Sequence, residues 1–127
     1  MKTSLEIETS LGEAMSRFEQ DYMGRAPNKV RTHLIGDLLV VRLHDVLTAS
    51  EQNLVKTLQA QKGRDLLKQV RKQMLETARP MLDSMVLEIT GVKVASLHHD
   101  ISTVTGEEVV LLTLTEPPLF RETKKRK

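Results

Sequence analysis

Ile7, Leu11, Ala14, Met15, Phe18 and Tyr22 recur mainly at steps of three and four, which predicts an amphipathic helix over residues 4–23. Glu6, Glu13, Arg17 and Glu19 are read as lying outside its apolar stripe. Gly24 supplies a helix cap and Pro27 blocks continuation. Two strand-sized runs follow, residues 30–35 and 38–43, separated by Gly36-Asp37. Glycine at the first central position of the turn fits a type II′ hairpin. In the first run Val30, Thr32 and Leu34 alternate with Arg31, His33 and Ile35. The second opens Leu38-Leu39-Val40-Val41, is apolar on both faces, and belongs at the centre of a sheet or against a partner.

Thr48-Ala49-Ser50-Glu51 has the form of a capping box and predicts a short helix through Leu54 and Leu58. A polar break is expected near residues 61–63, and then a long helix over 64–90. Its apolar positions are read as Leu67, Val70, Met74, Ala78, Met81, Met85 and Ile89, in phase across Pro80, so the proline is expected to kink the helix rather than stop it. Residues 92–98 and 108–114 read as two more strands, joined through the turn-rich stretch 100–106. The expected fold is α+β in the order α-β-β-α-α-β-β: a four-stranded antiparallel sheet from two hairpins, with the helices on one face. A helix of about 40 Å would overhang a sheet about 20 Å wide, and the overhang needs a lid. The first helix or a second subunit would supply it, hence an expected homodimer.

Composition changes the picture in two places. The net charge is +2, but five of the 19 basic side chains and one of the 17 acidic ones lie in residues 121–127, leaving −2 on the rest. The division is therefore a single domain over 1–118 and a basic flexible tail over 119–127, a block more often solvated than bound to nucleic acid. Phe18, Tyr22 and Phe120 are the whole aromatic set, so a stacking platform for single-stranded nucleic acid is missing. With no cysteine there is neither a disulfide framework nor a thiolate metal site, which fits the cytoplasm. The first ten residues do not read as a signal peptide, and no apolar run reaches membrane-spanning length, so direct membrane insertion is not expected.

Candidate chemistry is sparse. His98, Asp100, Ser102 and Thr103 hold the residue types of a base–nucleophile arrangement. Neighbouring strand residues point to opposite faces, however, so His98 and His99 do not converge, and the hydroxyls suit a turn better. Arg25 and Arg31 flank the basic loop 24–31, where forked hydrogen bonds could hold a phosphate or carboxylate. Arg64, Lys68, Arg71, Lys72 and Arg79 are read as a solvated basic stripe, with Lys72–Glu76 and Arg79–Asp83 pairing along the helix. No catalytic residue, metal or cofactor is expected. Arg25, Arg31, His98, Asp100, Ser102 and Thr103 are candidates for ligand or partner binding.

Gly24-Arg25-Ala26-Pro27-Asn28-Lys29-Val30-Arg31 and Val46-Leu47-Thr48-Ala49-Ser50-Glu51, followed by Gly63-Arg64-Asp65-Leu66-Leu67-Lys68-Gln69-Val70-Arg71, Arg79-Pro80, Thr90-Gly91 and the run His98 to Glu107, form an ordered set across the chain. In this order the set resembles the MpsC-like family, named for the third component of a sodium-translocating, membrane-potential-generating system. The resemblance implies a soluble accessory or regulatory subunit linked to ion-coupled membrane-potential generation and inorganic-carbon uptake, cytoplasmic and attached to the membrane through a protein partner. It carries no active-site residues with it. Ala26 departs from a glycine usual in the family at that position, which raises the question of a positive φ there. Two other classes of function stand beside this one: a nucleic-acid-associated regulator using the tail and the basic helix face, and a binder of a small anionic ligand.

Overall fold

The computed structural model describes residues 1–57 and 60–121. The chain forms α1 (Ser4–Phe18), a π-helical turn (Glu19–Met23), β1 (Lys29–Ile35), β2 (Leu38–His44), α2 (Ala49–Thr57), α3 (Ala60–Thr77), α4 (Arg79–Thr90), β3 (Val94–Ile101) and β4 (Glu108–Leu114). The strands make one antiparallel sheet in the order β1-β2-β4-β3. The α+β class and the two hairpins are as expected. The second hairpin is inserted so that β2 and β4 lie centrally and β1 and β3 form the edges.

Local chemistry explains most boundaries. Thr3 and Glu6 form a reciprocal capping box at the start of α1, and Thr48 and Glu51 form another at α2. Gly24 closes the π-helical turn in the left-handed region at φ 101°. Gly36 has φ 62° and Asp37 does not share the positive sign, the type II′ pattern. Ala26 has no positive φ, so alanine fits there without strain.

The stretch 64–90 is recorded as two helices rather than one long one. Ala78, at φ −85° and ψ 1°, leaves the helical region, and Pro80 falls in the first turn of α4, where its missing N–H costs little. The polar break expected near residues 61–63 is helical, because α3 already begins at Ala60. Gly63 is the reason the chain can pack this way. A Cβ built on it would lie 3.0 Å from the Val55 Cα and 3.1 Å from the Leu54 carbonyl oxygen. Glycine therefore marks the close approach of α2 and α3, not a break. Gly63→Val should destabilise the protein by about 1–3 kcal/mol, read from the midpoint shift in urea denaturation. The expected Leu58 position, and residues 122–127 of the basic tail, lie outside the described residues. Arg121, at the head of that tail, is tied down: its backbone N–H donates to Lys2 and its Nε to the Met1 carbonyl.

The core lies between the helices and one face of the sheet. It is built from Leu11, Met15 and Phe18 of α1, Leu39, Val41 and Leu43 of β2, Leu67 and Leu75 of α3, Leu82 and Val86 of α4, and Val110, Leu112 and Leu114 of β4. On α3 and α4 the buried lane thus runs through Leu67, Arg71, Leu75, Ala78, Leu82 and Val86. The expected stripe shares Leu67 and Ala78 with this lane and otherwise runs beside it. Met74, Met85 and Ile89 only flank the core, while Val70 and Met81 stay 43% and 54% exposed. Two charged residues assigned to the outside are fully buried, Glu19 and Arg71. Both stand four residues from apolar core positions, Met15 for the one and Leu67 and Leu75 for the other, so helical phase carries them inward.

Candidate functional site

Arg71 projects from the middle of α3 into the core and gathers three carboxylates from three other elements. Its Nη1 donates to both oxygens of Glu51, at 3.1 and 2.9 Å. Its Nη2 donates to Glu19 Oε1 at 3.0 Å and to Glu108 Oε1 at 3.2 Å. Arg71, Glu19 and Glu108 have no exposed surface, and Glu51 is mostly covered while it also completes the cap of α2. The cluster therefore ties the end of α1, the start of α2, the centre of α3 and the head of β4 at one point.

One guanidinium cannot neutralise three carboxylates. Burial, together with the Glu108 carboxylate alongside, pushes the Glu19 carboxyl up to about 8 against the pull of Arg71. Glu19 therefore keeps its proton at pH 7 and can hydrogen-bond Glu108, since two carboxylates share a hydrogen bond only when one is protonated. Burial also disfavours the charged form of Arg71, but Glu108, Glu19 and Glu51 outweigh it and hold its pKa above the ordinary value. Among the described residues, Arg71 Nε and His99 Nε2 have no hydrogen-bond partner, and neither do Glu19 Oε2 and Glu108 Oε2 unless one of the two carboxyls carries a proton.

His99 links this cluster to the surface. On β3 it shares the helix-facing side with Leu97 and Ile101, and its Nε2 lies 3.8 Å from Glu108 Oε2. Burial holds its pKa below the usual 6.5 despite the nearby Glu108 carboxylate, so it is neutral at pH 7. The same residue lines a cleft of about 570 Å³ between β3 and the α3–α4 pair. One wall is the strand from Leu97 to Ile101, and the other carries Lys68, Lys72, Glu76 and Arg79, with Leu75 between them. These helix residues recur at steps of three, four and one, and so face the strand together. Arg79 pairs with Asp83 at 2.7 Å, whereas the Lys72–Glu76 pair is not formed among the described residues.

The sequence-derived candidates separate into two groups. His98 and Asp100 line the cleft, and Asp100, Ser102 and Thr103 line a shallower depression beside it. Asp100 Oδ1 accepts from Lys68 Nζ and from the Ile101 N–H, both at 2.9 Å, and these contacts hold its pKa below the usual value. The Ser102 hydroxyl oxygen accepts from the Val104 and Thr105 N–H groups, the turn arrangement expected of it. Arg25 is engaged elsewhere, donating from Nη2 to Asp45 Oδ2 at 2.6 Å and from Nε to the Asp45 carbonyl. Arg31 lies on the helix-free face in register with Arg42. The two arginines therefore do not join His98 and Asp100. Glu19, Arg71, His99 and Glu108 were not among the candidates, and Lys72 was read only as part of a solvated stripe. Among the described residues no group of three or more histidines or carboxylates is arranged to hold a metal ion, and no helix is long and apolar enough to cross a membrane.

A family model described as the Na⁺-translocating membrane potential-generating system (MpsC) matches residues 3–116. A protein of Bacillus subtilis (strain 168) that carries the description "Uncharacterized protein YbcI" is 33% identical over 113 residues, covering 89% of each chain. No solved structure matches.

Proposed function

This chain belongs to the MpsC family, and from that membership we propose that it is a non-catalytic accessory or regulatory subunit that binds a protein component of an ion-coupled, membrane-potential-generating system from the cytoplasmic side. The observation that supports a binding role over a catalytic one is the use to which the reactive side chains are put. Ser102 is engaged by turn amides, Asp100 by Lys68 and the Ile101 N–H, and His99 is buried against Glu108. None of these is left as a nucleophile with a free base beside it, the arrangement that acyl or phosphoryl transfer needs. What the surface offers instead is a long cleft beside an edge strand and, on the helix layer, the exposed Val70 and Met81. The second feature supports the homodimer as part of the same proposal.

The test is affinity capture from detergent-solubilised membranes of the source organism, with the immobilised chain as bait. Reproducible recovery of one integral-membrane ion-transport protein, whose reciprocal tagging brings this chain down, is the expected result. Recovery of no such protein across several detergents would refute the proposal.

A further inference from the structure

The two edges of the sheet are treated differently. At β1, α1 lies against the edge: Glu8 Oε2 accepts the Leu34 N–H at 2.8 Å, and the Gly12 backbone passes so close that a Cβ there would sit 3.1 Å from Thr32 Oγ1. At β3 no helix supplies such a bond to the backbone among the described residues. The Ser102 N–H donates to the Glu107 carbonyl at 2.9 Å, and this sets the phase of the β3–β4 ladder. Alternation along an antiparallel pair then directs the backbone N–H and C=O groups of Leu97, His99 and Ile101 away from β4, into the cleft. The Leu114 N–H, which bonds the Asp37 carbonyl on the β2 side, fits the same phase.

Of these three outward N–H groups, only that of Ile101 has a partner among the described residues, and the partner is informative. Asp100 Oδ1 sits between the Ile101 N–H and Lys68 Nζ, 2.9 Å from each. A carboxylate oxygen thus already bridges the strand edge and the cationic helix wall at one end of the cleft. Further along, the N–H groups of His99 and Leu97 have no such partner, and on the opposite wall Lys72 has no ion pair among the described residues. An unpaired strand edge is a template for another strand, and it is normally blocked when it serves no purpose.

We infer that the cleft between β3 and α3 receives an extended, acidic segment of a partner protein, which adds to the sheet as a fifth strand along Leu97–His99 and sets a carboxylate against Lys72, continuing the bridge that Asp100 already makes to Lys68. Main-chain hydrogen bonds to the free edge supply affinity, and Lys72 selects for an acidic side chain on the face of the added strand turned toward α3. A second copy of this chain is a poorer occupant. Pairing two β3 edges about a twofold axis would bring Lys72, which has no ion pair among the described residues, to the same seam from both copies and supply no carboxylate segment to meet it. The inference rests on the binding role proposed above and specifies where and how the partner is held.

The probe is an eight-residue peptide alternating valine and glutamate, with a valine–lysine peptide of the same length as its counterpart. Amide hydrogen exchange is followed by NMR on the full chain. In the free protein the amides of His99 and Leu97 should exchange at least tenfold faster than those of His98 and Asp100, which face β4. The acidic peptide should slow the His99 and Leu97 amides at least fivefold, and the lysine peptide should leave them unchanged. Lys72→Glu should weaken binding of the acidic peptide at least fivefold, read from the same titration. Three results would each overturn the inference: edge amides already protected in the free protein, protection that grows with protein concentration and no peptide (pairing of two copies), or binding of the acidic peptide without protection of these amides. Capture of a membrane partner that leaves the edge amides exchanging freely would remove this docking mode alone and leave the subunit role standing.

Discussion

Arg71→Met should cost about 3–5 kcal/mol of stability at pH 7, measured by urea denaturation, the largest single-site effect expected in this protein. Methionine fills much the same length of core, so little of the loss is cavity. The loss comes from what remains. Glu51, Glu108 and Glu19 would face one another with no cation, and buried charge without a counter-charge is among the costliest arrangements a core can hold. Four elements meet at this guanidinium, so the damage would not stay local. A companion variant separates charge from shape. Replacing Arg71, Glu19 and Glu108 together with methionine, leucine and valine should recover much of the loss, since the three wholly buried members are exchanged for apolar groups while the partly exposed Glu51 keeps its bond from the Thr48 N–H. A single Arg71→Met loss below about 1 kcal/mol would show that the cluster carries no such burden.

Glu19, Arg71, His99 and Glu108 show what the sequence could and could not reveal. Capping boxes, the glycine turn and the alternation in β4 are local signals, and residues 38–44 and 108–114 emerge from them almost to the residue. The buried cluster was legible by spacing and illegible by polarity. Glu19 continues the Leu11–Met15 lane at the next step of four, and Arg71 sits midway between Leu67 and Leu75. Glu108 precedes Val110, Leu112 and Leu114 at steps of two, and His99 lies between Leu97 and Ile101. Each is in core phase, yet Glu19 and Arg71 read as outside positions because charged side chains are seldom buried unless paired, and nothing in the strand pattern singles out Glu108 or His99. The pairing is tertiary, joining residues up to 89 apart in sequence (Glu19 and Glu108), and no local pattern announces it. Arg71 also draws the reading of the long helical stretch off the buried lane between Leu67 and Ala78 and again beyond Ala78, because a charge in the true stripe makes the neighbouring positions look the more continuous.

Stability should fall as pH rises from 6 to 9, and Glu19→Gln should abolish most of that fall. The sign follows from the proton that Glu19 keeps. Its carboxyl is pushed from the ordinary 4.5 to about 8 in the fold, first by burial and then by Glu108. A pKa raised on folding means that folding takes up a proton, so the contribution is fully present below about 4.5 and is lost as pH climbs through 8. One proton limits the slope to about 1.4 kcal/mol per pH unit. His99 acts in the opposite sense: its pKa is held below 6.5, so its contribution is present above that value and lost on acidification. Asp100, also lowered, weakens the fold only at still lower pH. From about pH 7 to 9 the change therefore belongs to Glu19, while nearer pH 6 His99 acts against it and cancels in the comparison of the two proteins. Glutamine has the shape of the protonated acid, with a carbonyl to accept from Arg71 and an amide to donate to Glu108, and it has no proton to lose. At pH 9 the variant should be more stable than the parent by about 2–3 kcal/mol, and at pH 6 nearly equal to it. Thermal melts followed by circular dichroism at unit pH intervals decide the matter. Parallel pH profiles for the two proteins would mean that Glu19 does not hold its proton in the fold, and that Arg71 alone balances the carboxylates around it.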